Sequence, residues 1–313
     1  MSKYRHDLPQ LSGELFLTDA GIETDLIFNH GIEIREFAAH TLLPDAAGRE
    51  AVANYLRGFL SLANEQNAGL ILDSQTWKAH MHWADDLGAD EQELQEANMD
   101  AIALIAALRN EYAGSSKPIV LNGVIGPQGD AYAPDAEVAA HESEEYHAKQ
   151  INWLAGTEVD MVTGLTFTQS DEAIGLVRAA KSAGLPAVIS FTVETDGALP
   201  TGQPLDEAIQ AVDDATDSAT AYFMVNCAHP DHFFHVLGDA DWARRIHGLR
   251  CNASRLSHAE LDECEELDEG DPLELAEQYK ALTKSMPWLN VFGACCGADL
   301  RHVVQITRAL TGR

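Results

Sequence analysis

Eight short runs of aliphatic, β-branched and aromatic residues recur along the chain, and helical patterns fill most of the gaps between them. The runs are Leu15–Thr18, Leu70–Asp73, Ile119–Val124, Met161–Leu165, Ala187–Val193, Tyr222–Asn226, Ile246–Cys251 and Leu289–Ala294. Helical periodicity covers Glu50–Asn67, Glu91–Glu111, Ala139–Leu154, Asp171–Ala183, Leu205–Ala219, Leu273–Lys284 and Leu300–Leu310. A shorter helix, Asp231–Leu237, is expected before Ile246. Strand–helix alternation fits either an open doubly wound sheet or a closed barrel. The count of eight favours closure, since about 250 residues is typical of that fold. No composition shift marks a linker, so the expectation is α/β, a single (β/α)8 TIM barrel, with residues 1–313 as one domain.

Charge narrows the function classes. Fifty Asp and Glu stand against 20 Lys and Arg, a formal net charge of −30. A chain this acidic is a poor partner for nucleic acid or for an anionic membrane surface. No apolar run approaches the roughly 20 residues of a membrane helix, and the start MSKYRHDLPQLSGELF lacks the apolar core of a signal peptide. A cytoplasmic enzyme acting on small molecules is expected. Five cysteines in a reducing compartment leave metal binding, nucleophilic chemistry or simple burial rather than a disulfide framework.

A barrel directs attention to the residues just past each strand, where such folds place their chemistry. The first strand is followed by Asp19-Ala20-Gly21-Ile22-Glu23, the second by Ser74-Gln75-Thr76-Trp77, and the third ends in Gly126-Pro127. The sixth runs into Asn226-Cys227, the seventh into Asn252-Ala253, and the eighth into Cys295-Cys296-Gly297. Three protein thiolates with an open fourth position suit catalytic Zn2+. Neighbouring side chains on a strand face opposite ways. Cys295 and Cys296 can therefore share an ion only if the chain turns there, and Gly297 supplies the freedom for that turn. The residues alone leave buried core cysteines as the alternative.

Asp19-Ala20-Gly21, Asn226-Cys227 and Gly293-Ala294-Cys295-Cys296-Gly297, in that order and at those strand ends, resemble the homocysteine S-methyltransferase family over about Leu15 to Leu310. Gly126-Pro127, Ser190-Phe191 with Asp196-Gly197, and Asn252-Ala253 fit as well. The resemblance implies zinc held by Cys227, Cys295 and Cys296, and methyl transfer from an onium or other carrier to the thiol of homocysteine or a related amino acid, forming a methionine-like thioether. It also implies that Asp19 receives the substrate's amino group; by itself a turn or capping role for Asp19 is the commoner one. Glu23, Trp77, Asn226 and Asn252 complete the expected substrate-binding set, with no catalytic side chain beyond the zinc-activated thiolate.

One departure bears on specificity. Where the family carries a Glu-Thr pair after the fourth strand, this chain reads Leu165-Thr166. An apolar side chain cannot face an ammonium, so Glu23 or Glu194 must substitute, or the acceptor differs from homocysteine. Trp77 and Phe191 are aromatic candidates for a cationic donor, with core packing as the alternative. The acidic run Asp262–Asp271 reads as a solvated loop, and Cys251 and Cys264 as bystanders. The competing readings are a metal-dependent hydrolase built on His80, His82, His229 and His232, or an inactive zinc- or thiol-binding barrel. There is no G-x-G-x-x-G and no P-loop.

Overall fold

All eight strands form, and each pairs in parallel with both neighbours: β1 (Phe16–Leu17), β2 (Gly69–Asp73), β3 (Ile119–Ile125), β4 (Met161–Phe167), β5 (Ala187–Phe191), β6 (Thr220–Asn226), β7 (Ile246–Cys251) and β8 (Val291–Ala294). The ring closes where β1 meets β8, with Phe16 opposite Val291 and Leu17 opposite Phe292. This computed structural model describes residues 2–131, 138–238, 240–264 and 266–312, and of Asp262 the backbone only.

Among the described residues, seven long helices cover the barrel: α1 (Ala46–Gln66), α2 (Glu91–Glu111), α3 (Ala140–Ala155), α4 (Ser170–Ser182), α5 (Leu205–Thr216), α6 (Pro272–Ser285) and α7 (Leu300–Thr311). Their starts follow side-chain capping. Asp90 and Glu93 form a reciprocal box at α2, and Asp45, Asp271 and Asp299 accept backbone N–H bonds at α1, α6 and α7. The expected helix Asp231–Leu237 is instead a single turn, Pro230–Phe233, followed by the 3-10 turn Asp241–Arg245. No described helix is long and apolar enough to cross a membrane.

Strand parity builds the site. The barrel floor is a buried apolar layer that includes Phe16, Ile71, Val120, Met161, Val188, Met224 and Val291. The N-terminal segment plugs it from below through Leu8 and Gln10, whose carbonyl accepts from Asn290 Nδ2 at 2.7 Å. Two residues further along a strand the side chain faces the same way. Those positions are Thr18, just past β1, and on the other strands Asp73, Asn122, Thr163, Ser190, Asn226 and Gly293, with Arg250 two past Gly248 on β7. The upper interior is thus polar, and its members bond to one another. Asn122 Nδ2 donates to Asp73 Oδ1 at 2.7 Å, Thr163 Oγ1 to Asn122 Oδ1 at 3.0 Å, and Ser190 Oγ to Asn226 Oδ1 at 2.6 Å.

Candidate active site: three thiols between two cavities

Directly above that polar layer the chain leaves strand geometry at two places. Cys227, one residue past β6, takes a left-handed backbone with φ of +56°. That conformation costs a non-glycine residue roughly 1–2 kcal/mol and persists only where neighbours enforce it. Here the Cys227 N–H donates to the Arg250 carbonyl at 3.1 Å. Its own carbonyl accepts from His258 Nε2 at 2.6 Å and Asn252 Nδ2 at 3.0 Å. Past β8, Gly297 has φ of +75°, and a Cβ there would lie 2.5 Å from the Asp268 carbonyl. The turn brings adjacent Cys295 and Cys296 to one side.

The three sulfurs therefore converge. Cys227 Sγ lies 3.2 Å from Cys295 Sγ and 3.6 Å from Cys296 Sγ, and all three fall within 4.8 Å of one another. Four sulfurs arranged tetrahedrally at about 2.3 Å from zinc stand about 3.8 Å apart, so this spacing fits the ion. Among the described residues this is the only cluster of three or more metal-capable side chains. The protons are unevenly held. Hydrogen bonds with Cys227 and Cys296, helped by Arg250, hold the Cys295 thiol well below its ordinary value, while the same sharing pushes Cys296 up. Three ionised thiols cannot crowd together without a cation among them.

A cavity opens on either side of the thiols. The first, about 620 Å3, is lined by Asp19, Glu23, Asp73, Leu165, Arg250 and Cys295, among others. Burial pushes the Glu23 carboxyl up to about 7, with the Cys295 charge adding to the rise. Burial likewise raises Asp19, against the pull of Arg250. The second, about 1230 Å3, is lined by Phe28, Lys78, Asn252, His258, Glu266 and Asp268 among others. Phe37, Trp77 and Cys296 border both.

The expected site residues divide by placement. Asp19, Glu23 and Trp77 face the first cavity, and Trp77 Nε1 donates to the Leu165 carbonyl at 2.9 Å. Asn252 faces the second. Asn226 lines neither cavity: its amide holds Thr166 Oγ1 at 2.8 Å and reaches Cys295 Sγ at 3.9 Å, a bracing position beneath the thiols. Glu194 bonds His258 Nδ1 at 3.1 Å and does not line the first cavity, whereas Glu23 and Leu165 both do. Phe191 is fully buried and stacks on Phe223, so it is core.

The histidines do not assemble into a metal group. His80 Nδ1 meets Tyr146 OH at 2.5 Å, and His232 Nε2 meets the Arg255 carbonyl at 2.8 Å. Cys251 is buried at the end of β7, its thiol pushed up to about 12 by burial, while Cys264 is exposed. The acidic run is more anchored than a solvated loop. Asp268 accepts from Ser254 Oγ at 2.6 Å, Glu269 pairs with Arg301 at 2.8 Å and Asp271 caps α6. Glu265 of that run lies outside the described residues. Arg250 and Asp73 escaped the sequence reading as site residues. A buried charge must be paired, so an Arg in the interior parity of an apolar strand was the available signal.

Fold and site together define a (β/α)8-barrel enzyme of the kind that gathers three strand-end thiols at its mouth. The family model for homocysteine S-methyltransferases matches residues 16–310. The chain belongs to that family of thiol methyltransferases. Its fold is shared by the Escherichia coli homocysteine methyltransferase MmuM. The oxidized form is 16% identical at a TM-score of 0.73, covering 98% of both chains. The metallated form is 14% identical at 0.72, covering 96% of this chain and 98% of that one. No curated protein sequence matches.

Proposed function

We propose that this protein is a zinc-dependent methyltransferase that moves a methyl group from a cationic onium donor to the thiol of homocysteine or a close amino-acid relative. The observation that carries the reading is the convergence of Cys227, Cys295 and Cys296 between two cavities of opposite fitness. Zinc in that cradle supplies the Lewis acidity that keeps an acceptor thiol ionised at neutral pH. Asp19 and Glu23 receive the acceptor's ammonium in the first cavity, Glu23 standing in for the carboxylate that Leu165 replaces. Phe28, Phe37 and Trp77 offer aromatic faces to a cationic donor, and Glu266 and Asp268 add negative potential.

The transfer balances simply. A sulfur lone pair forms the new S–CH3 bond while the bond from methyl to the onium atom breaks, its electron pair leaving with the donor. The donor becomes neutral, and the acceptor's proton has gone to solvent. Alignment of sulfur, carbon and leaving group is then the protein's main task, and two cavities meeting at Cys296 provide it. Methyl transfer by zinc-loaded, reduced protein to homocysteine from a panel of sulfonium and quaternary ammonium donors tests the reading. Turnover with one equivalent of zinc is the expected outcome; turnover undiminished after full zinc removal would overturn it.

A further inference from the structure

Arg250 is the single basic side chain lining the first cavity among the described residues, and ammonium recognition does not call for it. A guanidinium there repels an ammonium. Burying it is also costly, and a buried ion pair is weak evidence for stability as such. Its bonds are nonetheless specific. Nη2 donates to Asp19 Oδ1, Nη1 to Asp73 Oδ2, and Nε to the Ala294 carbonyl at 3.3 Å. Asp73 is held from its other side by Asn122. Those contacts use three of the five N–H groups of a guanidinium and leave one on each terminal nitrogen. Asp19 commits Oδ1 to this pair, and within the described residues Oδ2 accepts no hydrogen bond.

The first cavity therefore presents a cation among anions: Arg250 is paired with Asp19, Glu23 lines the same cavity, and Cys295 is near enough for Arg250 to lower its thiol. A ligand with only a positive group is served worse by this arrangement than by bare carboxylates. A ligand carrying an ammonium and a carboxylate on one carbon is served better. We propose that Arg250 binds the carboxylate of the acceptor while Asp19 and Glu23 bind its ammonium, so that the chain selects zwitterionic thiols over simple amino-thiols. The proposal rests on the thiol-acceptor reading above, and planar two-point recognition of carboxylates is what a guanidinium does best.

Calorimetric binding to the zinc-loaded, reduced protein without donor separates the two. The probes are homocysteine and 3-aminopropane-1-thiol, which lacks the carboxylate. Wild type is expected to bind homocysteine at least about tenfold more tightly, or about 1.4 kcal/mol. Arg250→Met is expected to bring that ratio towards one, and Arg250→Lys to leave it in between. Equal binding by wild type, or a proportional loss of both ligands in Arg250→Met with zinc content unchanged, would overturn the proposal and leave Arg250 a strut. Should Arg250→Met fail to fold, the wild-type ratio and Arg250→Lys still decide. A collapsing ratio without any methyl transfer would uphold Arg250 while sinking the transferase reading; no binding of either thiol would sink both.

Discussion

Two local devices place the three sulfurs, the left-handed backbone at Cys227 and the turn at Gly297 that serves both Cys295 and Cys296, so single substitutions should be informative. Zinc sites bind with about 10–16 kcal/mol, so removing one of three protein ligands should weaken binding by a hundredfold or more. Cys227→Ser and Cys296→Ala are expected to lose bound zinc on desalting, read by metal analysis, with circular dichroism unchanged. Retained zinc would move the centre elsewhere. Glu23 carries a pH signature. Its carboxyl is raised to about 7 by burial, so it is increasingly protonated, and useless to an ammonium, as pH falls below that value. Acceptor KM should therefore climb by up to about tenfold per pH unit on acidification. In Glu23→Gln it should be raised throughout and less steep over the same range, the remaining slope coming from Asp19, whose carboxyl burial also raises. A wild-type KM independent of pH between 5.5 and 8 would contradict the assignment. The cysteines and Asp19 were legible in the sequence because their strand-end positions and order carry the family pattern. Arg250 was not, because it sits inside a run read as an apolar strand, and only its pairing with Asp19 and Asp73 across the barrel reveals it.

At the scale of elements, the site depends on how closely β1 and β8 approach. A Cβ at Gly293 would lie 1.8 Å from Thr18 Oγ1 and 2.6 Å from the Asp19 carbonyl. Gly293→Ala should therefore push β1 away and cost about 1–3 kcal/mol, measurable as a lower denaturant midpoint. Asp19 should be displaced with it, so acceptor binding should weaken beyond what stability alone explains. An unchanged midpoint would show that the strands can part freely. The eight strands were visible in the sequence because parallel strands buried on both faces read as continuous apolar runs. The short helix after β6 was misjudged in length: Pro230 starts it well, but Phe233 is buried while Phe234 is exposed, so the pattern does not sustain a longer amphipathic face. The polar tier above the barrel floor follows from parity once the strand bounds are known, and those bounds come from packing.

The whole molecule is an anion of formal charge −30, and its second cavity is where the proposed cationic donor would arrive. Long-range attraction is screened within about 8 Å at physiological salt. For a cationic donor, kcat/KM should accordingly fall as ionic strength rises from 20 to 500 mM, and much less so for the zwitterionic acceptor. Equal salt slopes for both substrates would remove steering from the account. The charge was plain in the sequence; which cavity it serves was not, because that needs the placement of Glu266 and Asp268 beside the thiols. The central claim is that Cys227, Cys295 and Cys296 together hold one zinc ion that leaves a position for the substrate's sulfur. X-ray absorption at the zinc edge tests it most directly. The account predicts three sulfur neighbours near 2.3 Å in the free protein, plus one lighter atom, and four sulfurs once homocysteine is added. A shell containing histidine nitrogen, or a sulfur count unmoved by homocysteine, would contradict it.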